Sequence, residues 1–356
     1  LQKIVETEPD KMEIINEEVK DVMIKQTVES AKNQQEGTGI LEEEDFTDIV
    51  SEIIVNTQTE TASKIIEEIN EIDTETNLSL EVISGISEKD SEKLNELSDN
   101  NKEQMDELTI DAVQKAENTS EDSQLIANVV AVVNDDLANK VVEEVSKTSI
   151  DEKQTLSAKV LKAITDTEPD KINVIDKEVK STIIKQAVEV SKKQEEGTIS
   201  DEQSMVDIVS DIISKTDSET ALEVIEEVND TESESNFSLK IGAGVAEKSN
   251  QKLDSLSVID REEVDELIEK AVQSAKSTNE DGELIAKVVT VSGDEIANKV
   301  VEEVNKTSTE EKQALSAKVM KSIVVINPDK IENLTIENKD ILIQQTIEAA
   351  KNQNEN

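Results

Sequence analysis

Apolar residues recur along this chain at intervals of three to four positions, and acidic residues and lysines fill most positions between them. One such stripe consists of Leu137, Ala138, Val141, Val142 and Val145. Because an α-helix repeats every 3.6 residues, this spacing places the apolar side chains on one face of a helix. Similar stripes run through residues 179–188 and 221–228. The pattern predicts an all-α protein.

Proline, glycine and capping residues set the limits of the predicted helices. Pro169 and Pro328 fit the first turn of a helix, where a missing backbone donor costs nothing. Breaks are predicted at "EEG" (195–197) and "NEDG" (279–282). Pairs with the spacing of a capping box are Ser149–Glu152, Ser200–Gln203 and Ser308–Glu311. These limits predict about four helices per 80 residues, arranged as two antiparallel pairs.

The chain repeats itself over a long interval. The segment "VVEEVSKTSIDEKQTLSAKVLKAI" at 141–164 returns at 300–323 as "VVEEVNKTSTEEKQALSAKVMKSI", with most positions identical. This long repeat has a period of about 159 residues. A weaker half-repeat of about 80 residues lies inside it, because two aliphatics, Glu-Glu and a further aliphatic occur at 65–69, 141–145, 224–228 and 300–304. We therefore predict a first long repeat at 1–155, a second at 156–314 and the start of a third at 315–356. The chain is expected to be a window on a longer array.

The length and pairing of the predicted helices resemble HEAT or armadillo repeats across essentially the whole chain. The resemblance is generic and implies a fold without an activity. It implies that stacked helix pairs share a continuous core, so that the repeats form an elongated α-solenoid. Spectrin-like three-helix bundles would need longer helices, and a coiled coil would need uninterrupted heptads.

Composition narrows the possible functions. The 356 residues include 83 acidic and 37 basic ones, giving a formal net charge of −46. Such a surface repels nucleic acid and anionic lipid and attracts cations or basic proteins. The chain has no His, no Cys and a single arginine, Arg261, so the usual acid–base, thiol and metal chemistry has no residues to carry it. We therefore predict no enzyme, no nucleic-acid partner and no insertion into a membrane. Abundant Ile, Lys and Asn with one Arg is typical of an AT-rich genome.

The recurring Glu-Glu pairs are the candidate site residues. They could form a ladder of weak cation sites, for Ca²⁺ for example, or a solvated helix face, and the solvated face is the preferred interpretation. The acidic segments 279–283 and 292–295 could also offer oxygen ligands to Ca²⁺, although they lack the ligand spacing of an EF-hand. In "GAG" (242–244), only Gly244 has a glycine one long repeat earlier, Gly85, which predicts a close helix contact. The paired residues are Glu67 and Glu68, Glu143 and Glu144, Glu226 and Glu227, and Glu302 and Glu303.

Near-identical repeats, dispersed acidity and missing catalytic residue types predict a structural protein. The leading hypothesis is an extended acidic rod or filament, part of a larger cell-surface or appendage protein such as an adhesin stalk. Its partners would be other copies or neighbouring repeats of a longer chain. The alternative is an intracellular, cytoplasmic scaffold that binds a basic or helical protein.

Overall fold

The computed structural model of the protein is built from α-helices joined by short connections. The structure describes residues 4, 7, 11, 14–35, 37, 46–72, 77–148, 153–201, 203–231, 236–307 and 313–355. These residues contain no β-strand. The chain divides into two compact units, Leu1–Ile183 and Ile184–Asn356. The prediction of an all-α tandem-repeat fold is confirmed.

The helices have ordinary lengths for a repeat protein. In the first unit they are α1 (Glu17–Gln35), α2 (Phe46–Asn56), α3 (Thr59–Glu71), α4 (Leu78–Lys89), α5 (Ser91–Asn100), α6 (Lys102–Lys115), α7 (Ser120–Val132), α8 (Asp135–Thr148), α9 (Leu156–Thr167) and a 3₁₀ helix at Pro169–Val174. Helix α10 (Lys177–Glu195) contains the boundary between the units. The second unit continues with α11 (Met205–Lys215), α12 (Ser218–Asp230), α13 (Phe237–Lys248), α14 (Lys252–Ile259), α15 (Arg261–Ser274), α16 (Asn279–Val291), α17 (Asp294–Thr307), α18 (Gln313–Ile326), α19 (Asp329–Asn333) and α20 (Ile336–Glu355).

Within each unit the long helices form two rows, and each helix packs against the next one in its own row. In the first unit one row is α1, α3, α6 and α8, and the other is α2, α4, α7 and α9. In the second unit the rows are α12, α15, α17 and α20, and α11, α13, α16 and α18. The two rows of a unit also contact each other: α4 packs against α6, and α13 packs against α15. Neighbouring repeats therefore share a buried seam inside each unit.

The predicted apolar stripes form these seams. All five residues of the Leu137–Val145 stripe are buried in α8, and Ala221, Ile225 and Val228 are buried in α12. Many of these side chains are Val or Ile, which favour helices only weakly. The helices therefore depend on packing between neighbours more than on their own propensity.

The prediction of four helices per half-repeat is too low. A short additional helix lies at every second junction between the rows, namely α5, the 3₁₀ helix, α14 and α19. Each half-repeat thus has five helical elements. Pro169 is the first residue of the 3₁₀ helix, as predicted, whereas Pro328 immediately precedes α19 and serves as its N-cap. The predicted domain limits at 155 and 314 stay a prediction, because a repeat can be divided at any helix.

Two predicted helix limits are wrong. Helix α11 begins at Met205, where the Ser204 hydroxyl accepts the Asp207 amide, so Ser200 and Gln203 precede the helix and do not cap it. Residues 279–282 form the first turn of α16, whose capping box precedes the glycine that suggested a break. The break at 195–197 is confirmed, since α10 ends there and Gly197 has a φ of +72°. The other two predicted capping pairs, Ser149–Glu152 and Ser308–Glu311, lie outside the described residues.

Candidate functional site

The four Glu-Glu pairs lie on four helices of one row type, α3, α8, α12 and α17. In α8, Lys147 lies 2.7 Å from a carboxylate oxygen of Glu143 and 2.7 Å from one of Glu144. Lys140 approaches Glu144 from the preceding turn, at 3.8 Å. Glu144 is buried, and its carboxylate is paired with Lys147, whose side chain is about half exposed. The solvated-face interpretation therefore fails for this residue.

The same cluster recurs one long repeat later, in α17. Lys306 lies 2.6 Å from Glu302 and 2.9 Å from Glu303, and Lys299 lies 3.2 Å from Glu303. The hydrogen bond from Lys306 lowers the pKa of Glu302. The same hydrogen bonds raise the pKa of Lys306 above its ordinary value. Glu303 is buried, as Glu144 is.

The pairs on α3 and α12 have different surroundings although their sequence is almost the same. Glu67 and Glu226 are exposed. Glu68 lies 3.4 Å from Lys25 of α1. Burial raises the pKa of Glu227, and the positive charge of Lys185 only partly offsets this rise. The environment of the pairs therefore follows the long repeat and not the half-repeat.

The structure does not gather these carboxylates into a shared cation site. Among the described residues, no group of three or more His, Cys, Asp or Glu side chains is placed to hold a metal ion. The acidic segment 279–283 belongs to the first turn of α16, where Asp281 serves as a cap. In the segment 292–295, the amide of Gly293 donates to Asp254, at 2.7 Å. The Ca²⁺ hypothesis stays a prediction.

A second set of polar residues, which sequence reasoning missed, joins neighbouring repeats. Asn236, just before α13, donates to the buried carboxylate of Asp281 in α16, at 2.8 Å. The other oxygen of Asp281 accepts the amide of Lys276, at 2.8 Å. Asn77 and Asp122 make the same contact between α4 and α7, at 2.9 Å. The only sequence signal is that both partners recur together with the long period.

These two equivalent aspartates have pKa values shifted in opposite directions. Burial raises the pKa of Asp122, and hydrogen bonds from the Glu117 amide and Asn77 do not offset the rise. The carboxylates of Glu117 and Glu121 raise it further. Burial also acts to raise the pKa of Asp281, but hydrogen bonds from Asn236 and from nearby amides outweigh it and the pKa is lowered. One physical difference is that a lysine stands in the second copy where the first has Glu117.

Several lysines bind backbone carbonyl groups of the preceding helix pair. Lys171 donates to the carbonyl oxygen of Val133 at 2.7 Å, and its equivalent Lys330 donates to that of Ser292 at 2.6 Å. These carbonyls lie at the C-terminal ends of α7 and α16, where the helix leaves acceptors unsatisfied and its dipole is negative. Lys153, Lys159, Lys252, Lys270 and Lys318 make contacts of the same kind, across 36 to 41 residues. These seven lysines therefore link neighbouring helix pairs.

The predicted close contact at glycine is confirmed. A Cβ atom on Gly244 would lie 2.4 Å from the hydroxyl oxygen of Ser210 in α11, and one on Gly85 would lie 2.4 Å from that of Ser51 in α2. Gly242 has no atom within 4 Å of the corresponding position. Only the glycine that recurs with the long period is needed for the helix crossing.

One groove of the first unit is lined by five acids, two lysines and four uncharged residues. It encloses about 390 Å³ beside α5, α6 and α8. Its polar lining includes Asp99, Lys102, Asp106, Asp136, Lys140 and Asp176. With Glu143, the groove offers five carboxylates and two ammonium groups, and none of them is a nucleophile activated by a neighbouring base.

Comparison with known proteins adds little. No protein-family model matches the chain, and no curated protein matches it. A solved structure described as a "Circular tandem repeat protein with novel repeat topology and enhanced subunit contact surfaces" is similar, with 16% identity over 98% of this chain and 82% of that one. Its TM-score of 0.31 is too low to carry any argument. In the part of the chain that the structure describes, no helix is both long enough and apolar enough to cross a bilayer.

Proposed function

We propose that this chain is a structural, non-enzymatic repeat protein that forms an extended acidic rod or filament, within a larger cell-surface or appendage protein. The recurrence of the same contacts between neighbouring helix pairs, one long repeat apart, is the observation that carries the proposal. Asn77–Asp122 returns as Asn236–Asp281, and Lys171–Val133 returns as Lys330–Ser292. When each copy keeps the same contacts to its neighbour, every added copy lengthens the array.

The charge distribution supports the same role. Lysines are engaged by helix ends and by the Glu-Glu pairs, so the acids dominate what remains at the surface. Like charges spread along a chain of repeats repel one another and favour separation over collapse. No residue combination that could perform acid–base or nucleophilic catalysis stands out among the described residues. Location at the cell surface is part of the proposal. It rests on the repeated sequence and the dispersed acidic residues, which suit a long surface protein.

Small-angle X-ray scattering tests the rod directly. The chain is compared with a variant in which residues 46–204 are present twice in tandem, which adds one long repeat in register. A rod gains the same length for each added repeat, so the largest dimension rises in proportion to the number of copies. A largest dimension that grows only as the cube root of mass contradicts the proposal. Labelling of intact source cells with antibody tests the location.

A scaffold that binds a basic or helical protein is the second candidate, and the acidic groove of the first unit is the observation that favours it. A lysine-rich helical peptide is the appropriate probe, measured by calorimetry at low and moderate salt. Binding that is lost in Asp99→Asn/Asp136→Asn but kept in Glu226→Gln, whose side chain is exposed on α12, would support the scaffold. Equal weak binding to all three proteins would indicate only non-specific attraction.

A further inference from the structure

Helices α1, α10 and α20 are three copies of one helix. They align without gaps when their first residues, Glu17, Lys177 and Ile336, are matched. One side of this helix carries two aliphatic positions and one small position in every copy. The aligned positions are Ile24, Ile184 and Ile343; Val28, Val188 and Ile347; and Ala31, Ser191 and Ala350.

This side is buried in two copies and open in the third. Ile24 and Val28 are 2% and 1% exposed in α1, which packs against the two helices that follow it, α2 and α3. Ile184 and Val188 are likewise buried. In α20, Ile343 is 40% exposed and Ile347 is 50% exposed. The amino acids are the same or larger, so the difference comes from what covers them.

The end of α18, which packs against α20, has one more aliphatic residue that is exposed where its equivalent is buried. Val324 is 47% exposed there, whereas its equivalent Thr165 is buried in α9. Val325 and Ile326 are also exposed, but so are their equivalents Asp166 and Thr167. The equivalent residues at the end of α9 are polar, "TDT" at 165–167, and Asp166 pairs with Lys162. The second copy has therefore replaced a polar helix end with an aliphatic one. We call the three exposed residues Val324, Ile343 and Ile347 the end face.

We propose that the end face is a docking surface for one further helix pair of this chain's own repeat, of the α11–α12 kind. The argument is continuity with an interface already present, because the equivalent side of α1 is covered by the pair α2 and α3. Such a pair has an aliphatic stripe with Ile208, Val209 and Ile212 on α11 and acids on its outer side. The proposal does not depend on whether the protein is a rod or a scaffold.

A second copy of the chain is a poorer fit to the end face. Each α2–α3 pair of such a copy is already packed against its own α1. The other side of α1 is also more polar than that of α10. Met23, Thr27 and Ser30 stand there in place of Ile183, Ala187 and Val190. An intact second copy would thus place the more polar side of its α1 against the aliphatic end face.

The test extends the full chain by one helix pair. Residues 197–230 are appended directly after Glu355, which continues the register of α10 and α11. Hydrogen exchange of the α20 amides is the readout. We expect the extension to slow exchange in the middle of α20 at least tenfold relative to the unextended chain. The double variant Ile343→Asn/Ile347→Asn should remove this gain. The same two substitutions in the unextended chain give the baseline for exchange in α20, because Ile343 and Ile347 are only 40% and 50% exposed there and keep part of their packing.

Three results would overturn the proposal. Exchange in α20 could be unaffected by the extension. The extension could protect α20 equally in the double asparagine variant, which would place the contact elsewhere. Sedimentation of the unextended chain could show a dimer that Ile343→Asn/Ile347→Asn dissociates, which would assign the end face to a second copy.

Discussion

The crossing of α11 and α13 permits a direct measurement of how tightly successive repeats pack. A Cβ atom introduced by Gly244→Ala would lie 2.4 Å from Ser210 Oγ and 2.9 Å from Ser210 Cβ. Rotation of the serine hydroxyl relieves the first contact only, because its Cβ is fixed by the backbone. The hydroxyl also donates to the carbonyl oxygen of Val206, at 2.9 Å, and Ser210 is fully buried. The two helices must therefore move apart.

The expected cost follows from two opposing effects. Overpacking of a close-packed interior costs about 1–3 kcal/mol. Replacement of glycine by alanine inside a helix favours the folded state by about 1 kcal/mol. The difference is a net destabilisation of the second unit by up to about 2 kcal/mol, which lowers its melting temperature by up to about 8 °C for a unit of this size.

Gly242→Ala is the matched control on the same helix. Its added methyl group would meet nothing within 4 Å and would project into a small apolar space bordered by Leu239 and Leu253. It should raise stability by about 0.5–1 kcal/mol. Thermal melts followed by circular dichroism at the helix band compare the two variants. If Gly244→Ala melts at or above the temperature of Gly242→Ala, the contact does not limit the approach of the helices and the reasoning is wrong.

Three further predictions concern polar and charged groups, each measured by chemical or thermal unfolding. Asn236→Ala leaves the buried carboxylate of Asp281 without one donor, so it should cost about 1–3 kcal/mol, and a loss below a few tenths would show that water replaces the amide. Lys330→Met removes the donor to the Ser292 carbonyl while keeping the aliphatic stem, with an expected loss of about 1 kcal/mol; no loss would mean that the contact is incidental. Burial raises the folded-state pKa of Glu227, so the folded protein binds that proton more tightly than the unfolded chain does. The free energy of unfolding should therefore rise as the pH falls through the folded-state pKa towards the ordinary value. Glu227→Gln should be more stable than the parent near neutral pH and should lose this part of the pH dependence.

The sequence was sufficient for the long helices because their stripes extend over several turns. The short additional helices escaped prediction for a physical reason. Helix α14 has eight residues and α19 has five, too few for a stripe to repeat. Their positions become evident only when the rows are seen, since each lies at a junction between rows. The glycine contact was predictable because Gly85 and Gly244 are retained where neighbouring residues differ.

The candidate site was much less predictable. The local sequence around the Glu-Glu pairs is nearly constant, yet the environment of each pair depends on residues in other turns and other helices. Lys147 bridges one pair, whereas Glu227 is buried with Lys185 as its compensating charge. Contacts between residues in different half-repeats leave no local pattern. Asn77 and Asp122 illustrate this, because each residue alone is an ordinary cap or turn residue.

The long period suggests a deletion that the fold should tolerate. Removal of residues 46–204 joins α1 to α11, and α11 is the copy of α2. Every partner in the new seam then has an equivalent in the original first unit. We expect a cooperative melt within about 2–4 °C of the parent's second unit, which corresponds to about 1 kcal/mol.

A deletion of half that length should be tolerated less well, although the helices still match in number. Removal of residues 59–134 joins α2 to α8 and sets α9 beside α2 in place of α4. Ala163 of α9 then occupies the position of Gly85, so its methyl group lies where Ser51 allows no Cβ atom. Overpacking of this kind costs about 1–3 kcal/mol, and Ala163→Gly in the shortened chain should recover much of it. If both deletions melt alike and Ala163→Gly has no benefit, the half-repeats are interchangeable and the matched contacts do not define the unit of duplication.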